Sequence, residues 1–136
     1  MSELKVDVLV IGWGKAGKTI AGRLAGEGRK VALVERSPQM YGGACINIAC
    51  VPTKDLIDSA AKRDGQDPVT YFASAVSDRD ALIAKPNHAN HAMLEGKVLL
   101  LDGVASFTGP HSVKVSGEDD EIAVQAKTII VNTGSH

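Results

Sequence analysis

The segment Lys5–Glu35, KVDVLVIGWGKAGKTIAGRLAGEGRKVALVE, decides the fold. It opens on a near-continuous apolar, β-branched run from Lys5 to Ile11. Such a run suits a strand buried on both faces, the habit of parallel sheets. Gly12, Gly14 and Gly17 follow at once with the spacing G-x-G-x-x-G. From Lys15 to Ala25 the residues Ala16, Ile20, Ala21, Leu24 and Ala25 recur at helix-compatible intervals, and Gly26 and Gly28 end the run. Lys30–Val34 is a second apolar strand with Glu35 at its end.

Strand, glycines, helix, strand and terminal acid in that order predict a dinucleotide-binding βαβ unit. Gly12 permits the tight turn, Gly14 lets the backbone approach a pyrophosphate, and Gly17 lets helix and strand pack closely. The helix N-terminus offers unpaired N–H groups and a positive dipole end to the phosphates. Glu35 stands 23 residues past Gly12, where a carboxylate can accept hydrogen bonds from a ribose. An acid there favours a free 2′-hydroxyl, so FAD or NAD fits better than NADP. The plainer alternative is an ordinary βα turn with a solvated Glu35, and the intact order of elements weighs against it.

Beyond Glu35 lies a loop, Ser37–Gly43, broken by Pro38 and the Gly42–Gly43 pair. It leads into GGACINIACVPTK, Gly42–Lys54, which holds both cysteines, Cys45 and Cys50, with four residues between them. Ile46 to Lys62 predicts one helix, with Leu56, Ile57, Ala60 and Ala61 as its apolar set. Positions i and i+5 lie about 140° apart on an ideal helix. A disulfide needs Cα atoms within roughly 7 Å of each other. The two thiols can therefore meet only if the first turn is irregular, which the glycines before it and Pro52 after it allow. A cysteine near a helix N-terminus also has a stabilised thiolate. Two other readings stay open: a pair of buried small hydrophobes, or a dithiolate that captures a soft cation.

Asp64–Pro68 is a polar break. Val69–Val76 and Asp78–Leu94 carry weaker helical patterns, and Pro86 predicts a kink or break at Lys85. His88 and His91 share H-x-x-H spacing, but no further ligand stands nearby, so they read as solvated residues on a helix face, and no metal site is assigned. Short strands follow at Lys97–Leu101, Val104–Phe107, Ser112–Val115 and Ile122–Gln125, with the acidic run Glu118–Glu121 as a solvated hairpin tip. Lys127–Val131 is a further apolar strand and ends in Asn132, Thr133, Gly134 and Ser135. The expected architecture is α/β: a Rossmann-like, parallel sheet with helices, plus a small antiparallel β-meander.

Composition narrows the function. The 136 residues suit one domain, 44% are hydrophobic, and the net charge of -1 gives no reason to expect nucleic acid or an anionic membrane as partner. No apolar run approaches the roughly 20 residues that cross a bilayer. The N-terminus enters a strand pattern without a basic region or cleavage site, so no signal peptide is read and a cytoplasmic location is expected. Disulfides there are more often transient and catalytic than structural. No internal repeat, low-complexity tract or linker stands out.

Three stretches together resemble the flavin- and pyridine-nucleotide-dependent disulfide oxidoreductases, the family of glutathione reductase, dihydrolipoamide dehydrogenase and mercuric reductase. They are VIGWGKAGKT, similar to the FAD fingerprint; GGACINIACVPTK, similar to GGTCxNxGCxPTK; and KTIIVNTGS, similar to a strand ending in ATGS. The first and second most resemble a bacterial branch linked to reactive-chlorine resistance. The resemblance implies FAD as cofactor, NAD(P)H as co-substrate, and electrons passing from NAD(P)H to FAD, to a Cys45–Cys50 disulfide, and to a disulfide or other small-molecule substrate. It implies that Cys50 lies against the flavin as charge-transfer thiol, that Cys45 attacks the substrate, and that Lys54 approaches the flavin ring. It places Gly12, Gly14, Lys15, Ala16 and Glu35 on the pyrophosphate and ribose, with Gly17 and Arg36 also among the cofactor-binding residues. Gly43 and Ala44 fall near the flavin phosphates, Ala105 at the adenine, and Thr133 and Gly134 over the pyrophosphate.

Three residues depart from the pattern: Ala44 for Thr, Ala49 for Gly and Asn132 for Ala. The first removes a hydrogen bond to the cofactor, and the second stiffens a backbone that must distort. Family members are also far longer and dimeric, with a nicotinamide domain, a second FAD segment and an interface domain carrying a catalytic His–Glu pair. None of His88, His91, His111 or His136 matches that base motif. The expectation is therefore that residues 1–136 form the first portion of an FAD domain from a homodimeric parent. On its own it would lack turnover with nicotinamide; the alternative is an isolated flavin- or nucleotide-binding module without turnover.

Overall fold

The computed structural model describes residues 2–135. Its elements are β1 (Ser2–Ile11), α1 (Lys15–Gly26), β2 (Val31–Glu35), a 3-10 turn at Pro38–Met40, α2 (Ala44–Asn47), α3 (Cys50–Ala61), α4 (Pro68–Leu94), β3 (Leu99–Asp102), β4 (Val104–Gly109), β5 (Ser112–Ser116) and β6 (Glu121–Val131). One six-stranded sheet runs in the order β3-β2-β1-β6-β5-β4. β3, β2, β1 and β6 are parallel, while β6, β5 and β4 are antiparallel. β6 belongs to both parts and joins them, so the expected α/β sheet and meander form one continuous sheet.

The β-branched run of β1 is central because both of its faces are covered. Val8 and Val10 face one cluster, with Trp13, Ala21 of α1, Val31, Leu33, Leu94 of α4 and Val98. Leu9 joins the other, with Ala32, Val34 and the strand residues Val113, Val115, Val124 and Ala126. From Val8 to Ile11 alternation feeds two cores, with Leu9 and Ile11 on one face and Val8 and Val10 on the other. The parallel strands all bring their C-terminal ends to one edge of the sheet, where ligands bind in open α/β folds.

Several expectations are corrected. The helix expected over 46–62 is two helices, α2 and α3, because the backbone leaves helical geometry at Ile48 (φ -136°, ψ -13°) and Ala49 (φ -120°, ψ -95°). Ala49 replaces a glycine at a backbone position (φ -120°, ψ -95°) outside the α and β regions, so the distortion is carried by a residue with a Cβ. α4 is one helix from Pro68 to Leu94, not the two segments expected at 69–76 and 78–94, and it is not broken at Lys85. Pro86 still removes the N–H that would reach the Leu82 carbonyl. Side chains beyond it hold the helix on course: Asn87 donates to the Pro38 carbonyl at 3.2 Å, and Asn90 to the Pro86 carbonyl at 2.6 Å. Asp67 starts α4 as N-cap, accepting from the Thr70 N–H at 2.9 Å, a role hidden in the stretch read only as a polar break. The two strands expected at 122–125 and 127–131 are the single strand β6, paired along β1 from Ser2↔Ile122 to Ile11↔Val131.

The continuity of α4 is testable. Pro86→Ala restores the missing helix hydrogen bond, and it should raise unfolding stability in urea by about 1–2 kcal/mol. A loss of stability would show that the chain needs a proline-directed bend there.

Candidate functional site

The site begins at the turn after β1. Gly12 has φ +101°, the left-handed region, and a Cβ there would stand 2.3 Å from the Asn132 carbonyl oxygen. Only glycine satisfies both limits. Asn132 leaves the end of β6, where its N–H donates to the Ile11 carbonyl at 2.8 Å. Its side-chain Nδ2 donates to the Gly12 carbonyl at 3.1 Å and the Gly14 carbonyl at 3.0 Å. Asn132 thus pins the glycine turn from below. A Cβ on Gly17 would meet Val10 Cγ1 at 2.8 Å, the close strand–helix packing expected of that glycine. Gly14 is the N-cap of α1 and contributes no side-chain cap hydrogen bond. The leading amides of Lys15, Ala16 and Gly17 stand at an uncapped helix N-terminus, suited to an anion.

A cavity of about 230 Å³ opens beside this turn. It brings together Gly12, Glu35, Arg36, Ala105, Thr133 and Gly134, all assigned to the cofactor from the sequence, with Gly103 and Val104. Glu35 Oε2 accepts from the Trp13 N–H at 3.1 Å, and Oε1 from the N–H groups of Arg36 at 2.9 Å and Ser37 at 3.2 Å. These bonds fix the carboxylate yet leave acceptor capacity for a hydroxyl, since a carboxylate has about four lone-pair sites. A concave polar groove, a fixed acid and an uncapped helix end fit a dinucleotide.

The cysteine turn packs on the same place. Gly43 has φ +83°, and a Cβ there would lie 2.8 Å from Gly14 Cα. The absence of a side chain lets the first turn of α2 rest on the first turn of α1. Cys45 lies in α2 and Cys50 opens α3, both exposed and both as free thiols. The break at Ile48–Ala49 supplies the irregular turn that the spacing required. Hydrogen bonding toward Cys50, followed by desolvation and the Cys50 charge, holds Cys45 above the usual cysteine range; Lys15 opposes the rise. The lowered thiolate pKa expected near a helix N-terminus is therefore not found at Cys45. Lys54 lies one helical turn beyond Cys50 and is exposed. Ala44, also exposed, opens α2. The structure thus brings Gly12, Gly14, Lys15, Ala16, Gly17, Gly43, Ala44 and Cys45 to one region, with Cys50 and Lys54 on α3 next to it.

Three features escaped the sequence reading. His91 is not a solvated residue: its ring stacks on Trp13 at 6.1 Å and packs on Tyr41 at 4.8 Å. Tyr41 Oη donates to Asp102 Oδ1 at 2.6 Å, and burial together with that carboxylate raises its pKa far above the ordinary tyrosine value. Asn47, inside the cysteine stretch, is buried and donates to the Tyr41 and Gly43 carbonyls, each at 2.9 Å. An amide amid glycines was the available signal, because asparagine often closes turns through its side chain. Among the described residues, no group of three or more His, Cys, Asp or Glu is gathered to hold a metal ion, and no helix is long and apolar enough to cross a membrane.

The fold and site define a dinucleotide-binding α/β unit with a dithiol beside the nucleotide helix. Residues 6–136 match the family described as pyridine nucleotide-disulphide oxidoreductase. The chain is 36% identical over 133 residues to the probable pyridine nucleotide-disulfide oxidoreductase RclA of Escherichia coli, covering 96% of this chain and 29% of that protein. It is 36% identical over 147 residues to the dihydrolipoyl dehydrogenase of Chlorobaculum parvum, covering 98% of this chain and 31% of that one. Among solved structures, the HOCl-induced flavoprotein disulfide reductase RclA from E. coli superposes with a TM-score of 0.85 at 36% identity, over 96% of this chain and 28% of that one. Its Cu(II) complex gives 0.87 at 36% identity, over 96% and 29%. The chain belongs to the pyridine nucleotide-disulphide oxidoreductase family, whose members are FAD flavoproteins using NAD(P)H.

The thiol pairing predicts a rate. Cys50→Ala removes the largest influence raising the Cys45 pKa and leaves Lys15 in place. More Cys45 is then thiolate at pH 8, so its alkylation by iodoacetamide, followed by mass spectrometry, should be several-fold faster than in wild type. An unchanged or slower rate would show that Cys50 does not hold the Cys45 proton.

Proposed function

We propose that the chain is the FAD-binding, dithiol-carrying portion of a cytoplasmic flavin-dependent NAD(P)H:disulfide oxidoreductase. The observation that carries this reading is the seat of Gly43 on Gly14. It places the Cys45 helix against the helix end that suits a pyrophosphate. Residues 1–136 would be the N-terminal part of an FAD domain. The chain spans 29% of RclA and 31% of the dehydrogenase, so nicotinamide binding and a homodimer interface are assigned to further sequence of a longer parent.

FAD would be held through the backbone at Gly12, Gly14, Lys15, Ala16 and Gly17, with Glu35 on the ribose. Arg36 and Ala105 would stand at the adenine end, Gly43 and Ala44 beside the phosphates, and Thr133 and Gly134 over them. Cys50 and Lys54 would stand toward the ring. When bound, FAD supplies two-electron transfer between a nicotinamide and the dithiol. The protein's own chemistry is thiol–disulfide exchange. Cys45, once deprotonated, bonds to one sulfur of a small disulfide substrate, and the other substrate sulfur leaves as a thiolate. Cys50 then attacks the Cys45 sulfur, the second substrate thiol leaves, and a Cys45–Cys50 disulfide remains. Substrate gains two electrons and the dithiol loses two. Lys15 favours the reaction by opposing the high pKa of Cys45.

A second reading is capture of a soft cation by the two thiolates. The observation behind it is that Cys45 and Cys50 are both exposed free thiols. Equimolar Cu(I) binding that is lost in both Cys45→Ser and Cys50→Ser would support that role.

The main reading is tested by the visible spectrum of the FAD-loaded chain, before and after a mild dithiol. Reduction should add a long-wavelength shoulder, absent in Cys50→Ser and present in Cys45→Ser. Survival of the shoulder in Cys50→Ser would overturn the assignment of the two thiols. A chain that retains no flavin would contradict the cofactor site itself.

A further inference from the structure

α2 has four residues and no side-chain cap, too short to be stable alone, yet it carries Cys45. Its anchorage lies outside it. The buried Asn47 uses its Nδ2 on the Tyr41 and Gly43 carbonyls. Its Oδ1 accepts from Asn87 Nδ2 of α4 at 3.0 Å. The same Asn87 amide donates to the Pro38 carbonyl at 3.2 Å, on the loop that enters the turn. Three residues on, Asn90 lies on the same face of α4. Its side chain is 3.0 Å from the place of a Cβ on Gly42, and its Oδ1 accepts from the Lys18 ammonium of α1. α4 therefore grips the approach to the redox turn, the end of α2 and the nucleotide helix through amide side chains.

We propose, building on the redox reading of Cys45 and Cys50, that Asn87 is a positioning residue for this couple. Through Asn47 it holds α2 where the two thiols meet, and so sets how readily the disulfide closes. The reason is effective concentration: groups held in bonding geometry react as if at far higher concentration than groups on a loosened segment. Asn90 backs the same turn beneath Gly42. Loss of the Asn87 amide leaves Asn47 Oδ1 without its donor and frees α2 to drift from α3. The disulfide then loses stability relative to the dithiol, even while the sheet stays folded.

The test is the equilibrium of the chain with dithiothreitol buffers, read by thiol alkylation and mass spectrometry. Closing the Cys45–Cys50 bond releases two electrons and two protons, which open oxidised dithiothreitol to its dithiol. Asn87→Asp keeps the volume but turns the donor into an acceptor facing the oxygens of Pro38, Tyr41 and Asn47; Asn87→Ala removes the group. Both should lower the constant for disulfide formation about tenfold, a potential shift of about 30 mV for this two-electron couple. His88→Ala, at an exposed neighbour on α4, should leave it unchanged. Circular dichroism on the same samples confirms the fold, and global destabilisation alone would not move an equilibrium measured in the folded state. Wild-type constants in folded Asn87→Asp or Asn87→Ala would overturn the proposal. A wild-type chain that closes no Cys45–Cys50 bond would instead overturn the redox reading, and the positioning role with it.

Discussion

The structure depends on the side-chain amide of Asn132. Its Nδ2 bonds the carbonyls of Gly12 and Gly14, joining the end of β6 to the turn after β1. It supplies a donor to the part-buried Gly12 carbonyl and a second donor to the Gly14 carbonyl, which also accepts from the Lys18 N–H at 3.1 Å, and so constrains the shape of the turn. The parallel pairing of β1 with β6 brings Asn132 to this position across most of the chain. With the turn fixed, α1 leaves the sheet with its N-terminus uncapped, and Gly14 presents the surface on which Gly43 rests. Nucleotide groove and dithiol are consequences of one packed junction.

The second constraint is local. Two cysteines five positions apart face different ways on an unbroken helix. The chain resolves this by ending α2 at Asn47 and starting α3 at Cys50. At the break the Ile48 and Ala49 N–H groups both donate to the Ala44 carbonyl, and side-chain amides secure the approach to α2. Asn47 closes the turn on itself, while Asn87 and Asn90 reach it from α4. Cys45 rests between opposing influences: the neighbouring thiol raises its pKa and Lys15 lowers it.

The βαβ unit was legible because its signals are short-range and backbone-based. Glycine positions, the apolar run of β1 and an acid at the end of β2 each state a local requirement. The need for an irregular turn between Cys45 and Cys50 was legible for the same reason, from helix geometry alone. The place of the break was not, because it follows from how α2 packs on α1 and α4. Pro86 suggested a kink or a break, yet α4 is continuous through it, with Asn87 and Asn90 bonding carbonyls beside it. β6 read as two strands because the small Ala126 and charged Lys127 interrupt its apolar pattern, whereas pairing with β1 carries it through. His91 looked solvated because its ring partners, Trp13 and Tyr41, lie far away in sequence. Asn132 registered only as a departure from a motif, since its partners are carbonyls, which carry no residue signature.

The central claim is that the glycine turn held by Asn132 is an FAD site. Its most direct test is titration of the apo chain with FAD, followed by flavin fluorescence, for wild type beside Asn132→Asp. The account predicts one FAD per wild-type chain and at least tenfold weaker binding in the variant, where an acceptor replaces the donor beneath Gly12 and Gly14. Equal affinity in the two proteins, or no saturable binding in wild type, would contradict it.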